Sequence, residues 1–199
     1  MTPVIFWFEF ASTYSYIAAE RLRAKHLHPP QVVWKAFLLG PILEAQGRSS
    51  SPFDAQPAKA AYVWRDLDRL AAKHGLPFEK PRSFPQNGLL AARVATAFPD
   101  EKWLPDFVCA VFHAEFAQGH DIAETETLAD ILEGMGLPSR AILEEAVQPE
   151  TKAALRRATE EARALGIFGA PSFSVGHELF WGQDRLDDAL EWARHSHHP

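Results

Sequence analysis

The chain has 199 residues, 47% of them hydrophobic and 23% charged, which suits one large domain or a compact domain carrying an insertion. Its formal net charge is -6, from 20 basic and 26 acidic residues, and no basic stripe is interleaved with aromatics, so nucleic acid is not an expected partner. Cys109 is the only cysteine, which excludes an intramolecular disulfide, a CxxC redox pair and a cysteine zinc site.

The run from Val4 to Phe10 is apolar on both faces of its alternation, the pattern of a central strand covered on both sides. From Thr13 to Lys25 the apolar residues Tyr14, Ile17, Ala18 and Leu22 fall at helical spacing, and Pro29 and Pro30 end that helix. A second strand is predicted over Gln31 to Phe37, which makes the opening a parallel βαβ unit. The middle carries hardly any strand signal. Helices are predicted over Pro57 to His74, closed by Gly75, then Asn87 to Phe98, Asp100 to Gln118, closed by Gly119, Thr125 to Glu133, and Ser139 to Gln148, with proline-rich joints between them. Thr151 to Leu165 reads as a charged amphipathic helix. "FGAPSFSV" and "ELFW" then read as strands joined by the two-residue turn "GH", and "GQDRLDDALEWARH" opens a terminal helix with Asp184 near its start.

The order is therefore βαβ, helices, then αββα. The simplest architecture that joins these halves is an α/β, thioredoxin-like domain formed by residues 1–38 and 151–199, interrupted by an all-helical insertion over 39–150. Low complexity is confined to "RSSSP" near residue 50 and the tail "HSHHP", whose histidines read as a solvated terminus, so no metal site is expected. Cys109 lies on an apolar helix face and reads as a buried, inert thiol. No stretch has the length of a membrane span or the layout of a leader peptide, and a soluble, cytoplasmic protein without a membrane partner is expected.

Ser12 stands where a strand hands over to a helix. Backbone N–H groups there have no partner within the helix and the helix dipole adds positive potential, so an anion or thiolate is favoured. By position alone, Ser12 or Thr13 is an ordinary helix cap. Two distant features add to this. In "GAPSF", Pro171 occupies the place of a cis-proline facing the first helix of a thioredoxin-like sheet, and the N–H and C=O of Ala170 are read as open to an extended, peptide-like ligand. In "FWGQDRL", Trp181 ends a strand, Gly182 allows a tight backbone, and the amides of Gln183 and Asp184 lie at another helix start, ready for a carboxylate. Asp184 can accept from an ammonium group or cap the helix.

The stretches "FWFEFASTYSYIAAERL", "FLLGPIL", "KAAYVWRDLDRLAAKHGLPF", "PRSFPQNGLLAAR", "GIFGAPSF" and "FWGQDRLDDAL" together resemble the 2-hydroxychromene-2-carboxylate isomerases. These are relatives of kappa-class glutathione transferases and of DsbA-type oxidoreductases, and the resemblance runs from residue 4 to about 194. It implies glutathione as cofactor, held by Ser12, Ala170 with Pro171 beside it, Trp181, Gly182, Gln183 and Asp184. Ser12 is then the catalytic group that stabilises the thiolate, which adds reversibly to a conjugated aromatic acid and lets the former double bond rotate. The substrate side would involve Leu43, Phe84 and Asn87. From the residues themselves, Phe84 reads as core and Asn87 as the cap of the helix that follows.

The sequence departs from the family at several positions. Thr13 replaces the usual proline after the serine, which leaves the turn intact. Leu43 stands where naphthalene-pathway isomerases carry a lysine for the substrate carboxylate, and Glu44 replaces a neighbouring lysine. The lost charge-assisted hydrogen bond is worth about 1–3 kcal/mol; Lys35, Arg48 and Lys59 are the candidate replacements. The leading expectation is a glutathione-dependent isomerase acting on a small molecule. A kappa-class-like transferase and a non-catalytic thioredoxin-fold binding protein are the alternatives, and the resemblance brings a homodimer as the candidate assembly.

Overall fold

The structure, a computed structural model, describes residues 2–25, 31–47 and 56–195. Pro29, Pro30, Arg48, the "RSSSP" stretch and the tail beyond His195 lie outside these residues. Four strands, β1 (Val4–Phe8), β2 (Val32–Ala36), β3 (Ser172–Val175) and β4 (Glu178–Trp181), form one sheet in the order β2-β1-β3-β4. β1 and β2 are parallel, in register from Val4 with Val32 to Phe8 with Ala36. They are joined through α1 (Thr13–Lys25), whose range is the predicted one. β3 runs antiparallel to β1, with Phe6 opposite Phe173, and β4 antiparallel to β3.

Helices α2 (Leu39–Ala45), α3 (Pro57–His74), α4 (Leu89–Ala97), α5 (Leu104–Ala117), α6 (Thr125–Gly134), α7 (Ser139–Ala146) and α8 (Pro149–Ala164) fill the interval between β2 and β3. A 3-10 turn, Gln183–Arg185, leads into α9 (Leu186–His195). This is a thioredoxin-like α/β core with an inserted all-helical subdomain. α3 has the predicted bounds because its ends are written locally. Pro57 is pre-organised for the first turn, and Gly75 takes the left-handed conformation at φ 67°, letting Leu76 N–H close on Ala71 O at 2.9 Å. α2 was not predicted: Pro41 falls in a seven-residue helix too short to show a periodicity. β1 is shorter than its apolar run, because the chain turns away after Phe8 and Phe10 packs into the core instead.

Alternation along β1 builds two apolar layers. Val4, Phe6 and Phe8 enter the main core, while Trp7 joins Phe37, Ile42, Ala162 and Ile167 on the opposite face. The main core is continuous from sheet to insertion. Phe8 and Phe10 meet Phe112 of α5 at centroid distances of 6.3 and 5.0 Å, and Tyr16 of α1 stacks on Phe116 at 5.6 Å. Cys109 is buried in this layer, and burial pushes its thiol far above the ordinary range, as expected of an inert cysteine. The inserted helices are thereby fixed against the carboxyl ends of the parallel strands, where α/β sheets present their clefts.

Candidate functional site

A cleft of about 520 Å³ opens between the end of β1, α2, α3, the segment before α4 and the loop before β3. That volume is in the range of small-molecule sites. Ser12, Ala170 and Trp181 lie on its wall, together with Leu43, Phe84 and Asn87. Residues from five separated stretches of the chain thus line one cavity. Pro171, Gly182, Gln183 and Asp184 are not on the cleft wall. Pro171 is buried behind it, and the other three continue from Trp181 into the 3-10 turn.

Ser12 caps α1: its Oγ accepts the Ser15 N–H at 3.3 Å. The same oxygen donates to the Ala170 carbonyl at 2.9 Å, across 158 residues of sequence. Capping and a donor role are therefore held by one hydroxyl. The reading of Ala170 as open on both sides is half corrected, since its carbonyl is taken by Ser12. Its N–H has no hydrogen-bond partner among the described residues. The Ala170–Pro171 peptide is cis, as the fold reading expected, and so is Phe84–Pro85, which the sequence reading did not anticipate.

Trp181 stays at the cleft mouth with its ring 4.9 Å from Phe168, and the two are 53% and 46% exposed. Behind them Gly169 brings the backbone so close to the Trp181 indole that a side chain could not be added without moving the ring. Gly182 N–H donates to Pro171 O at 3.0 Å, tying β4 to the proline loop, and φ 106° at Gly182 is a conformation only glycine adopts freely. The cap proposed for Asp184 is not formed: the cap position of the turn is Gly182, without a side-chain bond, and Asp184 Oδ2 lies 3.6 Å from Arg185 Nε. Arg21 of α1 holds this turn in place. It donates to the Gln183 backbone carbonyl and to Gln183 Oε1 at 3.0 Å, and pairs with Asp187 at 2.7 Å. The N–H groups of Gln183 and Asp184 have no partner among the described residues.

The remaining walls are mostly apolar, from Leu38, Leu39, Val63 and Leu89. Phe84 serves both readings, since it lines the cleft and also meets Trp64 edge-on at 5.0 Å in the core. Asn87 lines the cleft but is not the cap of α4: the cap position is Gly88, and Asn87 Oδ1 accepts the Leu89 N–H at 3.1 Å from one residue earlier. Of the cations considered for the missing lysine, Lys35 is committed elsewhere, at 2.6 Å from Glu161 and over the Trp7 ring. Lys59 of α3 lines the cleft, as does Glu44.

Two acidic groups escaped the sequence reading. Glu9, the one charged residue of the opening apolar run, lines the cleft, and its Oε2 accepts the Leu39 N–H at 2.8 Å. Burial pushes its carboxyl up to about 6, against the pull of the Leu39, Ala11 and Phe10 N–H groups. Glu115 of α5 is fully buried, with neither oxygen partnered among the described residues. Burial, then Glu9 and Asp121, hold its carboxyl well above the usual range. Tyr14 donates to Asp66 at 2.9 Å, and burial followed by that carboxylate raises its hydroxyl beyond the ordinary range.

Comparison with known proteins finds relatives over almost the whole chain. The DSBA-like thioredoxin domain matches residues 3–191. A 2-hydroxychromene-2-carboxylate isomerase of Sphingobium xenophagum is 30% identical over 94% of this chain and 96% of its own length. Glutathione s-transferase kappa 2 of Caenorhabditis elegans is 26% identical, over 95% of this chain and 90% of its own. The solved structure of a selenomethionine 2-hydroxychromene-2-carboxylate isomerase superposes with a TM-score of 0.86 at 26% identity, covering 96% of this chain and 94% of that one. The chain therefore belongs to the DsbA-like thioredoxin domain family, with 2-hydroxychromene-2-carboxylate isomerases and a kappa-class glutathione transferase among its relatives.

Proposed function

We propose that the cleft binds glutathione and that the protein is a glutathione-dependent isomerase of a conjugated aromatic acid, 2-hydroxychromene-2-carboxylate or one like it. The observation that carries this is the Ser12 hydroxyl, set at the N-terminus of α1 and facing the Ala170 backbone across the cleft. The chain's own groups suit such a ligand. Ala170 offers an unpartnered N–H to an extended peptide backbone, and the N–H groups of Gln183 and Asp184 suit a carboxylate.

When bound, glutathione supplies a thiolate nucleophile at neutral pH. Ser12 favours that state by donating a hydrogen bond, and the dipole of α1 adds positive potential at the same point. To do so Ser12 turns its proton away from the Ala170 carbonyl, and a ligand N–H arriving at that carbonyl replaces the bond it leaves. The walls formed by Leu39, Leu43, Val63 and Phe84 receive an apolar ring and exclude water. Lys59 is the cation on the wall that can meet a substrate carboxylate, in place of the family lysine that Leu43 lacks. Soluble cytoplasmic action and a homodimer belong to this reading.

Leu43 and Glu44 also favour a second reading, transfer of glutathione to an uncharged electrophile, as in a kappa-class-like transferase. Calorimetric titration with glutathione, and with S-methylglutathione as the blocked thiol, tests the cofactor. Glutathione binding that weakens when the sulfur is blocked is expected. No heat with either would move the protein to a non-catalytic binding role. Product analysis then separates the two enzymes, because an isomerase leaves glutathione unconsumed and a transferase does not.

A further inference from the structure

The chemistry above gives Ser12 the task of donating to a thiolate and leaves the thiol's proton without a destination. A hydroxyl cannot take it, because serine is far too weak a base near neutral pH. The cleft wall does contain a base. Glu9 sits three residues before Ser12, at the point where β1 turns away from the sheet, and Ser12 N–H closes that turn on the Glu9 carbonyl at 3.0 Å. Its side chain reaches the mouth of the neighbouring parallel strand, where Oε2 accepts the Leu39 N–H at 2.8 Å. The carboxylate is therefore fixed between the carboxyl ends of β1 and β2. The surface it retains opens into the cleft it shares with Ser12.

We propose that Glu9 is the proton acceptor of this cleft: its carboxylate takes the proton of the bound thiol and returns it when the thiol is released. The S–H bond breaks, an O–H bond forms on Glu9, and the electron pair stays on sulfur, so no oxidant, reductant or further reactant is required. This role rests on the glutathione reading given above.

The surroundings suit a proton shared between oxygen and sulfur. Burial lifts the Glu9 carboxyl from 4.5 to about 6, which brings it towards an ordinary thiol at about 8.5, while Ser12 and the α1 dipole bring the thiol down towards it. The charged and titratable groups around Glu9 come from four helices. Burial raises the carboxyl of Glu115 on α5 well above the usual range, with smaller contributions from Glu9 and Asp121, which favours its neutral form. Glu44 on α2 and Lys59 on α3 share the cleft with opposite charges. Tyr14 on α1 has its hydroxyl committed to Asp66. A carboxylate serving only to tie down the Leu39 N–H would work equally well as an amide, and that difference is measurable.

The experiment is a calorimetric titration of glutathione into the wild-type chain, Glu9→Gln and Glu9→Asp at pH 7, in two buffers of different ionisation enthalpy. Ultraviolet thiolate absorbance is followed in parallel. Glutamine keeps an oxygen for the Leu39 N–H and cannot take the proton; aspartate keeps the acid on a shorter arm. The wild type is expected to develop thiolate absorbance while releasing fewer protons to buffer per thiolate than Glu9→Gln, because a thiolate in the same cleft raises the Glu9 carboxyl further and lets it hold part of the proton at pH 7. Glu9→Gln is expected either to lose the thiolate signal or to release about one proton for each thiolate formed, and Glu9→Asp to restore the wild-type balance at least in part. Turnover of a conjugated acid should fall at least about 100-fold in Glu9→Gln, the scale of a lost acid–base group. Equal proton release per thiolate in wild type and Glu9→Gln would overturn the assignment while leaving the glutathione reading intact. Absence of glutathione binding in all three proteins would overturn both.

Discussion

Replacing Ser12 by alanine removes two hydrogen bonds with one atom. The N–H of Ser15 loses its cap, a change that costs about 1 kcal/mol in typical helices, and the partly buried Ala170 carbonyl loses its donor, for about 1 kcal/mol more. Together about 2 kcal/mol of folding stability should go. With a urea slope of about 2–3 kcal/mol/M for a domain of this size, the unfolding midpoint should fall by about 0.7–1 M. Ser12→Thr is the matching control, because it keeps the hydroxyl, and its midpoint should stay near that of the wild type. The functional effect has a separate scale. A hydrogen bond to a charged acceptor is worth about 1.5–3 kcal/mol, so the pKa of a thiol bound at Ser12 should rise by about one to two units in the alanine variant, as read from ultraviolet thiolate absorbance against pH. Turnover should fall more than glutathione affinity. An unfolding midpoint equal to wild type would refute the cap and the Ala170 bond, and an unshifted thiol titration would refute the role of the hydroxyl at sulfur.

Two glycine substitutions should behave in opposite ways. At Gly88 a Cβ would lie 2.5 Å from Phe10 Cβ, next to the backbone of a fully buried residue, so Gly88→Ala should cost about 1–3 kcal/mol in urea unfolding. At Gly169 the collision is with the outer edge of the half-exposed Trp181 ring, which can swing aside. Stability should therefore change by less than about 0.5 kcal/mol, while glutathione affinity drops about tenfold as the ring leaves the cleft mouth. Equal stability losses at the two sites would refute that contrast. The Glu9 carboxyl also predicts a pH dependence of folding. The folded chain holds this proton more tightly than the unfolded chain, so its stabilising contribution is fully present below about pH 4.5 and is lost as pH rises through about 6. Relative to Glu9→Gln, the wild type should lose about 2 kcal/mol between about pH 3.5 and pH 7, and a difference between the two proteins that is flat with pH would refute it.

The sequence by itself determined what short-range chemistry writes. α1 and α3 have the bounds read from spacing, because a serine cap, a proline in the first helical turn and a left-handed glycine act within a few residues of themselves. The strands were legible from alternation, and the burial of both faces of β1 followed from its having no polar side. Their sum, two mixed ends around a helical middle, was enough to name the fold. Tertiary structure decided the rest, because it depends on groups far apart along the chain. Ser12 became both cap and donor only when Ala170 arrived opposite it, 158 residues later. Phe84 read as core and Asn87 as a cap; Phe84 packs against the core with part of its surface on the cleft, while the cap position is Gly88 and Asn87 binds the Leu89 N–H from the residue before it. Glu9 looked like the polar exception in an apolar run, and nothing near it in sequence signals that Leu39 would bind it or that burial would raise its carboxyl. A pKa is set by the dielectric and the dipoles within a few ångströms, which only the folded chain assembles.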